Sequence, residues 1–459
     1  MDTTPRNDSI QIISKELIKP SSPTPDHLKS LKLSLLDQLS PPVYISLIFF
    51  YGADELKGMM TGSTDDHSQI PHLLKHSLSN ILTTYYPLVG KIDSDNFTVD
   101  CDDSGVEFIE ARSRDRLKDV VENPKLESFR KYLPTDPLGG IYRGEGTLFM
   151  AQVTIFDCGG VAIGACLSHI IADGASFVKF MNAWAATCRG SSRNPEPAPD
   201  FGVIARYLPA RDLSDSNLSP SLLLGNDKLV TKKFVLDREK LSILKQESSG
   251  CGFPSTGSSD DSHYYVTDPT VVEVVTAFIW KHFIEKKLLD ASKKIFVAHM
   301  VNIRSRASPS LDMEHAFGNG CFMTAACTPQ YSERVPKLHE LVSELRKAIK
   351  MIDREYVREA CDGDRYMRDL GEMCDAVTEG EGECFLFSSW FRFPIYEVDF
   401  GWGRPLLVGM TPLLLNNLAI FMDVISGDGI EVSINMLPDN VNAFEEQLKL
   451  VGSDDVINS

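Results

Sequence analysis

Residues 148–188 read LFMAQVTIFDCGGVAIGACLSHIIADGASFVKFMNAWAATC, and their pattern predicts how the first half of the chain folds. The run LFMAQVTIF is continuously apolar, as expected of a buried strand, and DCGG at 157–160 is a turn signal. VAIGACLS predicts a second strand, so the two strands would form a hairpin in a mixed sheet. A helix should follow, because Asp173 is well placed as an N-cap and apolar side chains then recur at helical spacing. These apolar positions are Phe177, Phe180, Met181 and Trp184.

His169 occupies the junction between the second strand and the helix, within the sequence SHIIADG. A side chain at such a junction is held by rigid elements and can serve as a general base. The residues alone leave an alternative open, in which His169 is a packed, hydrogen-bonded histidine and Asp173 only caps the helix. One face of the strand carries small residues that let a ligand or another stretch of backbone come close: Ala162, Gly164, Cys166 and Ser168.

The length and the remaining patterns predict two domains of the α/β class. The chain has 459 residues, more than one hydrophobic core usually supports. We assign an N-terminal domain to 1–188, a crossover loop rich in Pro, Ser, Asn and Asp to 189–225, and a C-terminal domain to 226–459. Both halves mix helix-like and strand-like segments, and 247–262 is expected to be a surface loop or insertion. The helical segments are 70–86, 271–289 and 332–357 (one helix or a pair), and the strands include 295–303, 385–390 and 430–436.

The charge and the cysteines limit the classes of function and the compartment. The formal net charge of −18 disfavours nucleic acid and anionic membranes, and an anionic co-substrate would need a local basic patch. The ten cysteines form no Cys-x-x-Cys pair and several stand in apolar runs, as expected of reduced, buried thiols. The first residues, MDTTPRNDS, have no apolar signal core, and the longest apolar runs are too short to span a bilayer. We therefore expect a cytoplasmic protein.

A second motif, VDFGWGRP at 398–405, is dominated by a tight turn. Gly401 and Gly403 flank Trp402, and Pro405 closes the segment, which predicts a turn around a large buried ring. Asp399 would enter this turn and bond main-chain N–H groups or an arginine, so the residues favour a role in folding. The sequence contains no nucleophile elbow, phosphate-binding loop, dinucleotide fingerprint or zinc-ligand spacing, so neither a metal site nor a bound cofactor is expected.

The two motifs together resemble the BAHD acyltransferase family of plants. SHIIADG near position 170 and DFGWGRP near position 400 stand in the order and at the separation found in that family. KPSSPTP, YYPLVGKI, FDCGG, VNIRSR and AFGN also match its pattern, and KPSSPTP and FDCGG are most similar to the branch that acetylates alkaloid alcohols. The resemblance covers nearly the whole chain. It implies two chloramphenicol acetyltransferase-like domains, each with a mixed sheet flanked by helices, and an active-site channel at their interface.

The resemblance also implies roles for individual residues. His169 would be the general base, and Asp173 would orient the site by pairing with Arg304 or, alternatively, with Arg306. Ser388, Trp390 or a main-chain N–H would hold the oxyanion. The catalytic candidates are His169, Asp173 and Asp399, the last because its motif is a family signature. The candidates for substrate or coenzyme A binding are Gly174, Ser388, Trp390, Trp402 and Arg404, and the structural candidates are Arg304, Gly401 and Gly403.

The implied reaction transfers an acyl group from acyl-CoA to a hydroxyl group of a small molecule. Acetyl-CoA is the preferred donor and an alkaloid the preferred acceptor, with malonyl-CoA or a larger donor, and a terpenoid or phenolic alcohol, as alternatives. The protein would be a cytoplasmic monomer. A non-catalytic relative that binds a metabolite, and a hydrolase that uses water as acceptor, are the competing functions. The sequence departs from the family pattern at Val271, Ala316 and 308–311, which bears on donor or acceptor choice.

Overall fold

The computed structural model describes residues 9–57, 69–137, 146–190, 197–213, 218, 229–249, 266–287, 294–327, 334–378 and 382–452. Its contacts divide the chain into two compact units. The first comprises Met1–Asp212, Leu311–Gly320 and Phe393–Leu414, and the second comprises Leu213–Ser310, Cys321–Arg392 and Leu415–Ser459. Nearly all of the expected insertion at 247–262 lies outside the described residues, as does part of the expected crossover at 189–225.

Both units contain strands and helices. The strands are β1 (Ile10–Ile18), β2 (Ser30–Lys32), β3 (Tyr44–Tyr51), β4 (Lys91–Asp93), β5 (Thr98–Asp100), β6 (Val106–Ser113), β7 (Phe149–Phe156), β8 (Val161–Ser168), β9 (Val230–Asp237), β10 (Lys294–Asn302), β11 (Cys321–Cys327), β12 (Gly382–Ser389), β13 (Leu407–Gly409), β14 (Leu418–Asp423) and β15 (Gly429–Met436). The helices are α1 (Leu35–Gln38), α2 (Ala53–Lys57), α3 (Gln69–Thr84), α4 (Leu117–Glu122), α5 (Leu126–Phe129), α6 (Gly174–Cys188), α7 (Val203–Tyr207), α8 (Arg238–Ser248), α9 (Val271–Lys287), α10 (Leu338–Met351), α11 (Arg354–Asp362), α12 (Arg365–Thr378) and α13 (Pro438–Leu450). Within the described ranges, we find no helix that combines the length and the apolar character needed to cross a membrane.

The first unit is built on a mixed sheet with the strand order β1-β6-β7-β8-β3-β13. β7 and β8 are antiparallel neighbours, so the hairpin predicted around the turn at 157–160 is confirmed. β6 and β7 run parallel, and the chain between them includes α4 and α5, because parallel neighbours need a crossover connection. β3 pairs with the other side of β8, and every residue of β8 is buried. The chain therefore reaches His169 from the interior of a sheet rather than from its edge.

α6 follows β8 and packs its apolar face inward, as the spacing predicts. Its buried positions include Phe177, Phe180, Met181 and Trp184. The Nε1 atom of Trp184 donates a hydrogen bond to the Ser77 hydroxyl of α3 at 3.1 Å, which fixes α6 against that helix. α3 itself corresponds to the helix predicted at 70–86. The strand, turn, strand and helix at 148–188 thus form one packed assembly around His169.

The second unit is built on another mixed sheet, with the order β11-β10-β12-β14-β15-β9. β10, β12 and β14 run parallel, and the remaining neighbours are antiparallel. The predicted helix at 271–289 corresponds to α9, and the segment at 332–357 is a pair, α10 and the first part of α11. α12 has no counterpart among the sequence predictions. Two mixed sheets flanked by helices confirm the predicted α/β class.

The second motif lies in a different unit from the one that the predicted domain boundaries give it. By chain position, 398–405 falls in the C-terminal domain, but the structure packs this segment in the first unit. β13 pairs with β3, and the Tyr51 hydroxyl donates to the Val398 carbonyl oxygen at 2.8 Å. The segment Leu311–Gly320 also belongs to the first unit. Because the chain returns twice to its first unit, a boundary drawn from composition at 189–225 cannot capture the division.

Candidate active site

His169 is held at the end of β8 by hydrogen bonds on both sides of the strand. Its main-chain N–H donates to the Val43 carbonyl oxygen at 2.9 Å, and that of Ser168 donates to the Leu148 carbonyl oxygen at 2.8 Å. The small face of β8 lies against protein backbone, since a Cβ atom on Gly164 would stand 2.0 Å from the Tyr132 carbonyl oxygen. The close approach permitted by the small residues is therefore made by backbone. It gives His169 a rigid support.

Asp173 caps α6 and also fastens a distant segment to the site. One carboxylate oxygen accepts from the Ser176 main-chain N–H at 2.9 Å, which confirms the predicted N-cap. The other accepts from the Gly320 N–H, also at 2.9 Å, while the Asp173 N–H donates to the Gly318 carbonyl oxygen at 3.2 Å. Both oxygens thus bond main-chain groups. This geometry fits an orienting residue rather than a relay that bonds the imidazole directly.

Asn319 is the side chain that contacts the imidazole. Its Oδ1 atom lies 3.2 Å from His169 Nδ1. Its Nδ2 atom donates to Asp37 Oδ1 and to the His169 carbonyl oxygen, both at 2.8 Å, and more weakly to the Ile170 carbonyl oxygen at 3.3 Å. Reasoning from the residues missed this contact. The match of AFGN to the family pattern was the one signal that pointed to the segment.

The bonds of Asn319 identify the tautomer of His169. Each acceptor around Nδ2 is an oxygen that carries no hydrogen, so the amide nitrogen must face them and the amide oxygen must face the imidazole. An oxygen can only accept, and therefore Nδ1 of His169 carries the proton. The lone pair of the neutral ring is then on Nε2, which is the atom that can accept a proton from a substrate.

Burial keeps this imidazole neutral. Desolvation lowers the pKa of His169 below its ordinary value of 6.5, against the opposing effects of a hydrogen bond to its own main-chain carbonyl oxygen, of Asp173 and of the Asn319 hydrogen bond. A lowered pKa leaves the base unprotonated at neutral pH. Burial raises the pKa of Asp37 above its ordinary value of 3.8, and hydrogen bonds from Ser34 and Asn319 offset part of this effect.

The second motif forms the turn that its composition predicts. The Asp399 carboxylate accepts from the main-chain N–H groups of Gly401 and Gly403 at 2.7 and 2.8 Å. Both glycines have positive φ, +116° and +94°, where other residues would be strained. The Trp402 ring is buried, stacks on Phe400 with 5.6 Å between centroids, and meets the Tyr51 ring edge-on at 5.9 Å.

This turn lies at the opposite end of α6 from His169. The Arg189 guanidinium, at the C-terminal end of α6, donates to the Asp399 carbonyl oxygen. The helix between Asp173 and Arg189 is about 24 Å long at 1.5 Å per residue. The pairing of strands also separates the turn from His169. Tyr51, which contacts Trp402, pairs with Val161 at the start of β8, whereas His169 directly follows the end of β8. The structure therefore does not bring Asp399 to His169, and the carboxylate is used within its own turn.

The remaining candidates are distributed over both units. Gly174 begins α6 and is buried beside the cap. Ser388 lies in β12. Trp390 directly follows this strand and is buried, and its main-chain N–H donates to the Phe421 carbonyl oxygen at 2.8 Å. The Arg404 guanidinium is largely exposed, 3.9 Å from the Glu397 carboxylate. Across the described part of the chain, no three His, Cys, Asp or Glu side chains are arranged to hold a metal ion.

The two arginines considered as partners of Asp173 follow β10. Arg306 donates to the carbonyl oxygens of Ile349 and Ile352 at 2.6 and 2.7 Å, and so closes the C-terminal end of α10. Arg304 donates to the Asn302 side-chain oxygen at 3.3 Å. The pairing of Asp173 with either arginine stays a prediction.

Known proteins match this chain over its full length. The profile of the Transferase family matches residues 8–451. The chain is 36% identical to stemmadenine O-acetyltransferase from Catharanthus roseus over 451 residues, which cover 97% of this chain and 98% of that protein. It is 36% identical to vinorine synthase from Rauvolfia serpentina over 449 residues, 96% and 98% of the two chains. It is 33% identical to limonoid 7-O-acetyltransferase from Citrus sinensis over 466 residues, 96% and 97% of the two.

The fold matches as well. The crystal structure of vinorine synthase aligns with a TM-score of 0.76 at 34% sequence identity, covering 94% of this chain and 96% of that one. The resemblance carried by SHIIADG and DFGWGRP is therefore confirmed by matches that extend far beyond the two motifs. The chain belongs to the Transferase family of BAHD acyltransferases and is an acyl-CoA-dependent O-acyltransferase.

Proposed function

We propose that this protein acetylates a hydroxyl group of an alkaloid, with acetyl-CoA as the donor and His169 as the general base. The observation that carries the role of His169 is its tautomer. The Asn319 oxygen 3.2 Å from Nδ1 leaves Nε2 as the atom with the lone pair. Burial lowers the pKa of His169, so this lone pair is available at neutral pH.

In the proposed mechanism, Nε2 of His169 takes the proton of the acceptor hydroxyl as its oxygen attacks the thioester carbonyl carbon. The tetrahedral oxyanion is stabilised by hydrogen-bond donors, for which Ser388, Trp390 or a main-chain N–H are the candidates. Collapse of the intermediate breaks the carbon–sulfur bond, and the imidazolium returns its proton to the coenzyme A thiolate. The products are the ester and free coenzyme A. Both substrates meet one base, so no acyl-enzyme is required.

Asp173 supports this base through the backbone. Its bonds to the N–H groups of Ser176 and Gly320 hold the start of α6 and the segment that carries Asn319 in one place. In our proposal a further pairing with Arg304 completes its orienting role. Asp399, Trp402, Gly401 and Gly403 act on the fold, at the far end of α6.

The preference for an alkaloid acceptor is supported by the relatives and by charge. Stemmadenine O-acetyltransferase matches at 36% identity over nearly the whole chain. A net charge of −18 also suits a neutral or cationic acceptor better than an anionic one. A terpenoid alcohol is the second candidate, because limonoid 7-O-acetyltransferase matches at 33% over a similar span.

We also propose that the protein acts in the cytoplasm as a monomer. Cys101, Cys166 and Cys188 are buried thiols, as expected in a reducing compartment. Light scattering on the purified protein measures its mass in solution, and a dimer mass would contradict the monomer.

The test of the proposed function is a panel of acyl-CoA donors crossed with alkaloid, terpenoid and phenolic alcohols, with products detected by mass spectrometry. We expect acetyl transfer to an alkaloid hydroxyl, and release of free thiol only when an alcohol is present. Thiol released at the same rate without alcohol would indicate a hydrolase instead. Binding of an alcohol without turnover of any donor would indicate a binding protein.

A further inference from the structure

Asp37 uses its two carboxylate oxygens for different purposes. It is a buried residue of α1, and its Oδ2 atom accepts from the main-chain N–H and the hydroxyl of Ser34, both at 2.7 Å. The Ser34 hydroxyl in turn accepts from the Asp37 N–H at 3.1 Å, which completes a capping box. The cap accounts for Oδ2 alone. Oδ1 points to Asn319 and accepts from its Nδ2 at 2.8 Å.

The amide of Asn319 could in principle take two orientations, related by a half-turn about its last bond. In the observed one, Nδ2 meets the Asp37 carboxylate and the main-chain carbonyl oxygens of His169 and Ile170. The reversed one would set the amide oxygen against these acceptors. An ionised carboxylate accepts more strongly than a carbonyl group, so Asp37 contributes most to this preference.

We propose that Asp37 is a positioning residue for the catalytic base. Acting through Asn319, it keeps the proton of neutral His169 on Nδ1 and the lone pair on Nε2. This inference rests on the proposed role of His169 and goes beyond it, because it identifies a side-chain pair that selects the reacting nitrogen together with the main-chain carbonyl oxygen of His169.

The selection matters at each proton transfer. The acceptor hydroxyl gives its proton to Nε2, and the resulting imidazolium carries protons on both nitrogens, with Asn319 Oδ1 still accepting from Nδ1. Nε2 then gives its proton to the thiolate, and the ring returns to the starting tautomer. If the neutral ring carried its proton on Nε2, that nitrogen could not accept another. A reversed Asn319, with Nδ2 facing Nδ1, would favour this inactive tautomer.

The surroundings of Asp37 suit an ionised acceptor. The groups that bond it all donate: the Ser34 N–H and hydroxyl, and the Asn319 side-chain amide, with a longer contact of 3.4 Å from the Asn319 N–H. An acid form would bring a hydrogen into a site filled with donors. The site therefore offers several hydrogen bonds to the carboxylate in return for its burial.

The first experiment compares Asp37→Asn with Ser34→Ala. An amide at 37 that still accepts from the Ser34 N–H must turn its NH2 group toward Asn319, which promotes the reversed amide. We expect kcat to fall about 10- to 100-fold with little change in KM. The acid limb of kcat/KM should also move to lower pH, because the bond from Nδ1 to Asn319 raises the pKa of His169.

Ser34→Ala is the matched control, because it removes one bond to Oδ2 and leaves Oδ1 and Asn319 in place. We expect it to lower the melting temperature while kcat and the pH profile stay as in the wild type. If Asp37→Asn behaves in the same way, Asp37 only caps α1 and the inference is wrong.

The second experiment measures the tautomer directly, by the 15N chemical shifts of the His169 ring in the wild-type protein. We expect Nε2 to be the unprotonated nitrogen at pH 8. A proton on Nε2 overturns the inference even if Asp37→Asn fails to fold.

Adding Asp37→Asn to an Asn319→Leu background should cost little more activity, because the two residues act in series. Fully additive losses would count against the inference. Turnover of the His169→Ala variant distinguishes a failure of this inference from a failure of the proposed function. If that variant keeps its turnover, the proposed role of His169 as the base is refuted. A negative result for Asp37 alone leaves that role standing.

Discussion

A histidine serves as a base only while its ring is neutral and the ring proton stays on the nitrogen that does not face the substrate. At the residue scale, the environment of His169 meets both conditions. Burial lowers its pKa, and an amide oxygen rather than an amide nitrogen faces Nδ1. Neither condition depends on a carboxylate that bonds the ring, because the oxygens of Asp173 bond main-chain N–H groups. In the proposed mechanism, burial and the oxygen acceptors of the ring would take the place of the Asp–His pair of other enzymes.

Replacing His169 tests this environment most directly. We expect His169→Ala to lower kcat about 10²- to 10⁴-fold, the usual contribution of a general base. The fold should survive, because the strand bonds around position 169 come from the main chain. Turnover of the purified variant and its circular dichroism spectrum decide the matter. His72→Ala, at an exposed position of α3, is the matched control and should keep full activity. A folded His169→Ala enzyme with near wild-type turnover would rule out the mechanism.

The lowered pKa of His169 predicts the pH dependence of the reaction. The base must be neutral to accept a proton, so kcat/KM should rise with pH through the pKa of His169 and then level off. Because burial lowers that pKa, the midpoint of the acid limb should lie below 6.5. Steady-state rates between pH 4.5 and 8.5, on enzyme shown to stay folded over the range, give this midpoint. An acid limb centred above pH 6.5 would contradict the assigned environment.

At the scale of elements, α6 separates the two motifs by function. Its N-terminal end carries Asp173, and its C-terminal end carries Arg189, which bonds the turn of the second motif. The buried ring of Trp402 packs on Phe400 and Tyr51, so the motif ties the end of β3 to the end of α6. The second motif thus supports the sheet and helix that hold the base, about 24 Å of helix away from it.

Trp402 should therefore affect stability more than chemistry. We expect Trp402→Ala to cost roughly 3–5 kcal/mol of the free energy of unfolding, because a large packed ring is lost. Turnover per folded molecule should change far less than in His169→Ala. Trp402→Phe is the matched control: the buried Nε1 atom has no hydrogen-bond partner within the described residues, so losing it removes an unsatisfied donor. Melting temperature and active-site-normalised rates are measured together, and a stable Trp402→Ala enzyme that had lost its turnover would place this ring in the chemistry.

Sequence reasoning predicted the elements around His169 because the signals there are local. The hairpin of β7 and β8 and the apolar face of α6 lie within 41 consecutive residues, and each leaves a periodic or turn pattern. Asn319 is 150 positions from His169, and Asp37 is 282 positions from Asn319. A contact between residues so far apart along the chain produces no periodic or turn pattern in the sequence. The Ser-x-x-Asp capping box also explains Asp37 without any reference to the site, which conceals its second bond.

At the scale of the whole molecule, the path of the chain limits what composition can predict. After the second unit has begun, the chain returns twice to the first unit, with the segments Leu311–Gly320 and Phe393–Leu414. The first of these brings Asn319 to His169, and the second brings Trp402 to Tyr51. Both the site and its support therefore depend on long-range returns of the chain. A single boundary at 189–225 does not follow these returns of the chain.

The acid stability of the second unit should depend on His299, a buried histidine with no part in the proposed mechanism. His299 in β10 is 5% exposed, stacks on Phe387 with 5.4 Å between ring centroids, and has a buried Nε2 without a hydrogen-bond partner in the described residues. Burial lowers the pKa of His299 to about 4, against a smaller opposing effect of the Glu273 carboxylate, which Arg346 pairs. In the unfolded chain the same ring titrates near 6.5. Between these values the unfolded state binds the proton and the folded state does not.

The sign of the effect follows from this difference. Above pH 6.5 the neutral ring is present in both states, and stability is lost as the pH falls from 6.5 toward 4. The loss attributable to His299 should be about 2–3 kcal/mol between pH 7.5 and pH 4.5. His299→Phe keeps the stacking on Phe387 and removes the titration, so its stability should fall less over this range by that amount. Hydrogen exchange of β10 and β12 amides, corrected for the intrinsic pH dependence of exchange, measures the second unit alone. Equal acid losses in His299→Phe and the wild type would show that His299 does not set the acid limit.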